Sequence, residues 1–182
     1  MSETEIEFHV PNTIFKTRVK NEKTDSFEWE DVQSRQLFKN KKSLVICLPG
    51  AFTPTCTSKQ LPGFEKMYDE FKEHGIDDIY CLSVNDAFVM YNWGKSLDIK
   101  KIKMLPDGNG DYTRQMGMLV KKENLGFGMR SWRYVALIDD SVIKTLWIEV
   151  GMHDNREDDP YEVTTPENII NWFNTNGGKN GG

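Results

Sequence analysis

The fold class that the sequence predicts is α/β, with a central mixed β-sheet flanked by helices, and three observations predict it. Residues 44–48 (LVICL), a helical pattern over 55–74 and residues 78–84 (DIYCLSV) follow one another as strand, helix and strand. In that order they predict a right-handed parallel crossover. Two further β-rich runs, 132–138 and 142–150, are separated only by Asp139, Asp140 and Ser141, and read as an antiparallel hairpin. The chain of 182 residues makes one domain the default, with room for a substantial core. We expect that domain over residues 1–176, with GGKNGG at 177–182 as a flexible tail or a linker stump, since it cannot pack a core.

Taken in order, Ile6, Phe8 and Val10 alternate with Glu7 and His9, and residues 14–19 offer a second short extended run, so a hairpin or edge structure is expected. The polar segment 21–40 reads as a strand end, a turn and a short helical turn. Residues 44–48 form a buried strand closed by Pro49-Gly50. Pro54 and Thr55 signal a helix start, and Leu61, Phe64, Met67, Tyr68 and Phe71 give the helix one apolar stripe as far as His74-Gly75. A stripe of this kind is core far more often than a cofactor box. After the second strand, Asn85 and Asp86 cap a helix over 87–97. Ile102, Met104 and Leu105 suggest a third strand, closed by the turn residues Pro106 to Gly110, and residues 111–116 a short helix. Thr165-Pro166-Glu167 opens a final amphipathic helix that carries Ile169, Ile170, Trp172 and Phe173.

Composition excludes several classes. The 23 basic and 28 acidic residues give a net charge of -5 without a basic stripe, which argues against a nucleic-acid partner. No apolar run approaches the roughly 18–20 residues of a membrane helix. The start MSETEIEFHV lacks a basic region followed by an apolar one, so a cytoplasmic protein is expected. Cys47, Cys56 and Cys81 are an odd number with no CxxC and no His at zinc spacing. A disulfide scaffold and a metal site are both disfavoured.

Cys56 stands apart from the other two. It falls in a first helical turn, where unpartnered backbone N–H groups and the helix dipole favour a thiolate. A free Cys is more often a small apolar filler, but the flanking prolines and the hydroxyls of Thr53 and Thr55 argue for a reactive sulfur here. Such a sulfur needs a base or a positive neighbour. His74 ends the same helix, about 27 Å away at 1.5 Å per residue, and His9 and His153 sit in polar segments. An Arg is the other candidate, and Arg130 and Arg133 flank Ser131-Trp132 beside the Gly-rich LGFG. The residues alone leave Arg130 balanced between that role and a solvated surface charge.

At this point PGAFTPTC, LPGFE, CLSVNDAFVM, LPDGNGDYT and LGFGMRSWRY, in this order over about residues 8–173, closely resemble the peroxiredoxins. The resemblance is to the type II, peroxiredoxin-5-like subfamily, and within it to the peroxiredoxin domain of bacterial peroxiredoxin–glutaredoxin hybrid proteins. It implies a thioredoxin-like fold and a thiol-dependent peroxidase acting on hydrogen peroxide and alkyl hydroperoxides. The family pattern Pro-x-x-x-Thr-x-x-Cys falls on Pro49, Thr53 and Cys56, and the active-site Arg is placed at Arg130. In this reading Cys56 is the peroxidatic cysteine, Thr53 and Arg130 donate to the peroxide oxygens, and Pro49 shapes and shields the turn.

The departures from the family bear on recycling. The C-terminal loop that often carries a resolving Cys reads GMHDNREDDPYEVTTPEN and has none. Cys81 stands where plant-type members have a second Cys, although a strand interior gives poor access to a sulfenic acid. Two routes stay open, a Cys56–Cys81 disulfide and resolution by an external thiol. The resemblance favours the external one, with glutathione and then glutaredoxin (or thioredoxin) as reductant and no bound cofactor. Family members also pair through loops near the site, so a homodimer through Phe52, Pro54 and Phe88 is expected. The alternative from another class is a peroxide sensor oxidised at Cys56 without turnover.

Overall fold

The computed structural model describes residues 3–176, so the expected tail at 177–182 lies outside the described residues. Its centre is a six-stranded mixed sheet built from β1 (Glu3–His9), β4 (Lys42–Cys47), β5 (Asp78–Ser83), β6 (Lys103–Pro106), β9 (Tyr134–Asp139) and β10 (Val142–Ile148), in the order β1-β10-β9-β4-β5-β6. β4 and β5 pair in parallel, as do β5 and β6, in agreement with the crossover read from the sequence. β9 and β10 form the expected hairpin, and β9 lies antiparallel against the other edge of β4.

Alternation along β4 assigns its side chains to two cores. Leu44, Ile46 and Leu48 pack with Cys56, Phe64, Phe71, Cys81, Trp93, Trp147 and Phe173 on one face, while Val45 and Cys47 pack with Phe15, Phe38, Tyr112 and Trp132 on the other. Cys47 is therefore separated from Cys56 by the sheet. The central strands are buried on both faces, which is why they read as unbroken apolar runs.

The long helix expected over 55–74 is interrupted twice. Its first turn, Cys56–Gln60, is π-helical, and the Leu61 N–H donates to the carbonyl of Cys56 five residues back. Pro62 explains the widening, since it lacks an N–H and its ring would crowd the carbonyl four residues earlier in a regular α-helix. α2 (Leu61–Lys66) and α3 (Tyr68–Glu73) follow, separated at Met67, where ψ is 9°. α4 (Ala87–Ser96) starts at Asp86, whose carboxylate accepts from the Val89 N–H at 2.9 Å, as expected of a cap. α5 (Asp111–Gln115) and α6 (Pro166–Asn176) also stand where the sequence puts them.

Two small hairpins were not foreseen in this form. β2 (Ile14–Asn21) pairs with β3 (Ser26–Gln33), which lies in the stretch read as turn and short helix; only α1 (Ser34–Leu37) of that stretch is helical. β3 is exposed along nearly its whole length, so no apolar alternation marks it. It is held to α4 by edge-on contacts of Phe27 with Tyr91 and Trp29 with Phe88. β7 (Leu119–Lys121) and β8 (Met129–Ser131) form the second hairpin, across the Gly-rich loop.

Candidate active site

The site lies at the C-terminal ends of β4 and β5. Pro49 and Gly50 are buried where β4 ends, and the chain then turns through Phe52, which is exposed and adopts a left-handed φ of 64°. This turn delivers Cys56 to the start of the π-turn, with its side chain fully buried. The Thr53 hydroxyl donates to the Gly50 carbonyl at 2.7 Å. Its proton is thereby engaged, and its lone pairs remain for an O–H of a small substrate.

The guanidinium that reaches the sulfur is that of Arg133. Its Nη1 lies 3.4 Å from Cys56 Sγ and also donates to Gln60 Oε1, while Nη2 donates to both oxygens of Asp159, at 2.6 and 2.7 Å. Arg133 is 1% exposed. Burial works against its charge, but the fields of Cys56 and Asp159 outweigh it and hold the guanidinium above its ordinary pKa. Tyr161 covers it, with Arg133 Cζ 5.6 Å from the ring centroid, and burial followed by the charge of Glu167 pushes the phenol up to about 12.

Placement of the active-site Arg at Arg130 is corrected by this geometry. Arg130 donates from Nε to the Phe127 carbonyl at 3.0 Å and from Nη1 to the Val84 carbonyl at 3.2 Å. It passes so close to the turn that a Cβ on Gly50 would stand 3.2 Å from Nη1. Arg130 therefore fastens the loops around the site, and makes no hydrogen bond to Cys56. The reason is topological. Arg130 lies in β8, paired with β7, whereas Arg133 immediately precedes β9, and the first pair of that strand with β4 sets Tyr134 opposite Cys47 at the end from which the chain runs to Cys56. An Arg directly before an apolar strand was the available signal.

Behind Arg133 stands a buried polar chain that sequence reasoning missed. Gln60 Nε2 donates to Thr164 Oγ1 at 3.3 Å, and Thr164 Oγ1 donates to Glu149 Oε2 at 2.8 Å. Glu149, 2% exposed, also accepts from the backbone N–H groups of Glu162, Val163 and Thr164. Its carboxylate thus organises the loop between β10 and α6. Nothing in the spacing of these residues pointed to such a network, since its members are far apart in the chain.

The remaining candidates are placed as follows. Cys47 and Cys81 are fully buried free thiols, and burial, the largest effect in each case, pushes both above the ordinary thiol pKa. Cys81 faces the same core as Cys56. His74 stacks on Phe173, with ring centroids 5.3 Å apart, and His9 and His153 are exposed. Phe52 and Phe88 are exposed large apolar residues beside the turn and on α4. Among the described residues no group of three His, Cys, Asp or Glu side chains could hold a metal ion, and no helix is long and apolar enough to cross a membrane.

Comparison with known proteins adds to this geometry. Residues 20–162 match the family described as Redoxin. The chain is 51% identical over 169 residues to a peroxiredoxin of Sinorhizobium fredii, covering 91% of this chain and 90% of that one. It is 43% identical over 164 residues to the hybrid peroxiredoxin hyPrx5 of Haemophilus influenzae, covering 90% of this chain and 64% of the hybrid. Among solved structures, the Plasmodium falciparum antioxidant protein, a 1-Cys peroxiredoxin, superposes with a TM-score of 0.89 at 40% identity, covering 93% of this chain and 99% of that one.

Proposed function

This chain belongs to the peroxiredoxins, thiol peroxidases of the Redoxin family, with the thioredoxin-like fold and the type II, peroxiredoxin-5-like character that its sequence resembles, and we propose that Cys56 is its peroxidatic cysteine. The observation that carries the proposal is the buried Arg133 guanidinium at 3.4 Å from the Cys56 sulfur. A fixed positive donor at that distance favours the thiolate and stands ready for the charge that moves onto the peroxide oxygens.

The thiolate attacks one peroxide oxygen, an S–O bond forms as the O–O bond breaks, and the departing oxygen takes a proton to leave as water or an alcohol. Cys56 becomes a sulfenic acid, oxidised by two electrons as the peroxide is reduced by two. Arg133 donates to the reacting oxygens, the Thr53 oxygen accepts from the peroxide O–H, and Pro49 shapes the turn and keeps water out. The substrates are hydrogen peroxide and alkyl hydroperoxides.

Recycling uses an external thiol. Glutathione sulfur attacks the sulfenic sulfur and expels water, leaving a mixed disulfide at Cys56, and a second thiol, from glutathione or glutaredoxin, releases Cys56 as the thiol. Two features support this route: the C-terminal loop carries no Cys, and Cys81 is buried in a strand paired on both sides. A homodimer formed through the exposed Phe52, Pro54 and Phe88 is part of the same reading, as is a cytoplasmic location.

The test is intact mass after one equivalent of peroxide, with and without glutathione. A gain of one oxygen, then a glutathione adduct at Cys56, is expected. Loss of two hydrogens with a mapped Cys56–Cys81 link would overturn external resolution. In steady-state assays Cys56→Ser abolishes peroxide consumption and Cys47→Ser leaves it largely intact; activity surviving in Cys56→Ser would sink the assignment.

A further inference from the structure

Arg133 is buried, yet its carboxylate partner comes from a loop. Asp159, with its side chain 41% exposed, lies between β10 and α6, where Glu149 gathers three consecutive N–H groups just beyond it. On the near side of the loop, Asn155 donates from its N–H to the Lys121 carbonyl at 2.8 Å, and Asp154 accepts from the Lys121 N–H at 2.8 Å. The carboxylate is thus presented from a segment tied down on both sides.

We propose that Asp159 is a positioning residue for the peroxide step: it holds the Arg133 fork in the orientation that directs Nη1 at Cys56. This rests on the reading of Cys56 as the peroxidatic thiol. Gln60 and Cys56 both belong to the π-turn, so any unwinding of that turn removes both of their contacts with Arg133 together. Asp159 belongs to a different element and keeps its grip. The guanidinium then stays parked for the returning sulfur instead of collapsing into the vacated space.

Electrostatics and orientation make opposite demands on this carboxylate. The ionisable groups around the site are Arg133 from the start of β9, Lys122 from the β7–β8 loop, Asp158, Asp159 and Tyr161 from the C-terminal loop, Glu149 from the end of β10, Glu167 from α6 and Cys81 from β5, and of these burial keeps Tyr161 and Cys81 neutral. Lys122 is 3% exposed, and burial, the largest effect on it, lowers its pKa and so works against its positive charge. Within this set Asp159 cancels part of the field that favours the thiolate. Were field strength all that mattered, removing Asp159 would favour a faster enzyme. Reaction with a peroxide also requires aligned donors, and loss of alignment costs rate even when the sulfur is fully ionised.

The experiment compares Asp159→Asn and Asp159→Glu with the wild-type chain, using stopped-flow rates with hydrogen peroxide and pH titration of the ultraviolet thiolate absorbance. For Asp159→Asn we expect a rate loss of roughly ten- to hundredfold at a pH where the thiol is fully ionised. The titration midpoint is expected to stay in place or move to lower pH, and Asp159→Glu is expected to recover part of the rate. Full rate in Asp159→Asn overturns the proposal, as does a loss that disappears once thiolate formation is complete. If Asp159→Asn does not fold, Asp159→Ser takes its place: a rate below wild type with a midpoint that is unmoved or lowered supports the proposal, and a wild-type rate overturns it. Cys56→Ser measured alongside separates the two levels, since activity in that variant removes the peroxidatic reading, whereas a fully active Asp159→Asn beside an inactive Cys56→Ser removes only the role of Asp159.

Discussion

Arg130 and Arg133 lie three residues apart in one motif, and their side chains do different work. Arg133→Ala removes the donor that touches Cys56, and we expect the second-order rate with peroxide to fall by about 10²–10³-fold. Arg130→Ala removes two bonds to loop carbonyls, so the expected result is a loss of roughly 1–3 kcal/mol of stability in denaturant melts with the rate kept within about tenfold. A larger kinetic effect for Arg130→Ala than for Arg133→Ala would reverse the assignment. At this scale Cys56 was legible in the sequence because prolines, hydroxyls and a helix start are local signals. The choice of Arg was not, because it depends on which strand follows and where that strand pairs. Gln60, Thr164 and Glu149 were invisible for the same reason: Gln60 and Thr164 meet across 104 positions.

Among the elements, the loop from β10 to α6 shows how a polar stretch with no regular structure is held in place. Arg156 donates to the carbonyls of Val150 at 2.6 Å and Gly151 at 2.8 Å, and pairs with Asp158. Gly151 has a φ of 85°, and a Cβ there would collide with Arg156 Nη1. Gly151→Ala therefore strains the backbone and expels Arg156 from both carbonyls. We expect thermal melts to show a Tm lower by several degrees, with a reduced peroxide rate because Asp159 shares the loop. The strong local patterns, namely the buried strands, the Asp86 cap and the apolar stripe of α6, were read correctly from sequence. β3 escaped because its partner is another exposed strand, and the π-turn because the apolar stripe that predicts a helix over 55–74 takes no account of Pro62.

For the molecule as a whole, the parallel strands β4, β5 and β6 are fastened at their N-terminal ends by Asp78, with Lys41 Nζ at 2.8 Å and Lys103 Nζ at 3.0 Å. Burial of Asp78 opposes its charge, but the two lysines outweigh it and hold the carboxyl below the ordinary value of 3.8. A lowered folded pKa contributes stability that is complete above the unfolded value and lost as pH falls through the folded one. Acid titration of denaturant stability should lose this contribution in that window, and Asp78→Asn should flatten the loss. An unchanged acid limb in the variant would remove this pair from the account. The same close packing leaves Cys56, at the start of its π-turn, with no exposure. That turn is read by an indole: Trp93 Nε1 donates to Thr57 Oγ1 at 3.0 Å, one residue past the sulfur. The chain thus contains its own emission probe, and a fluorescence change that is lost in Trp93→Phe reports a change in the turn beside Cys56.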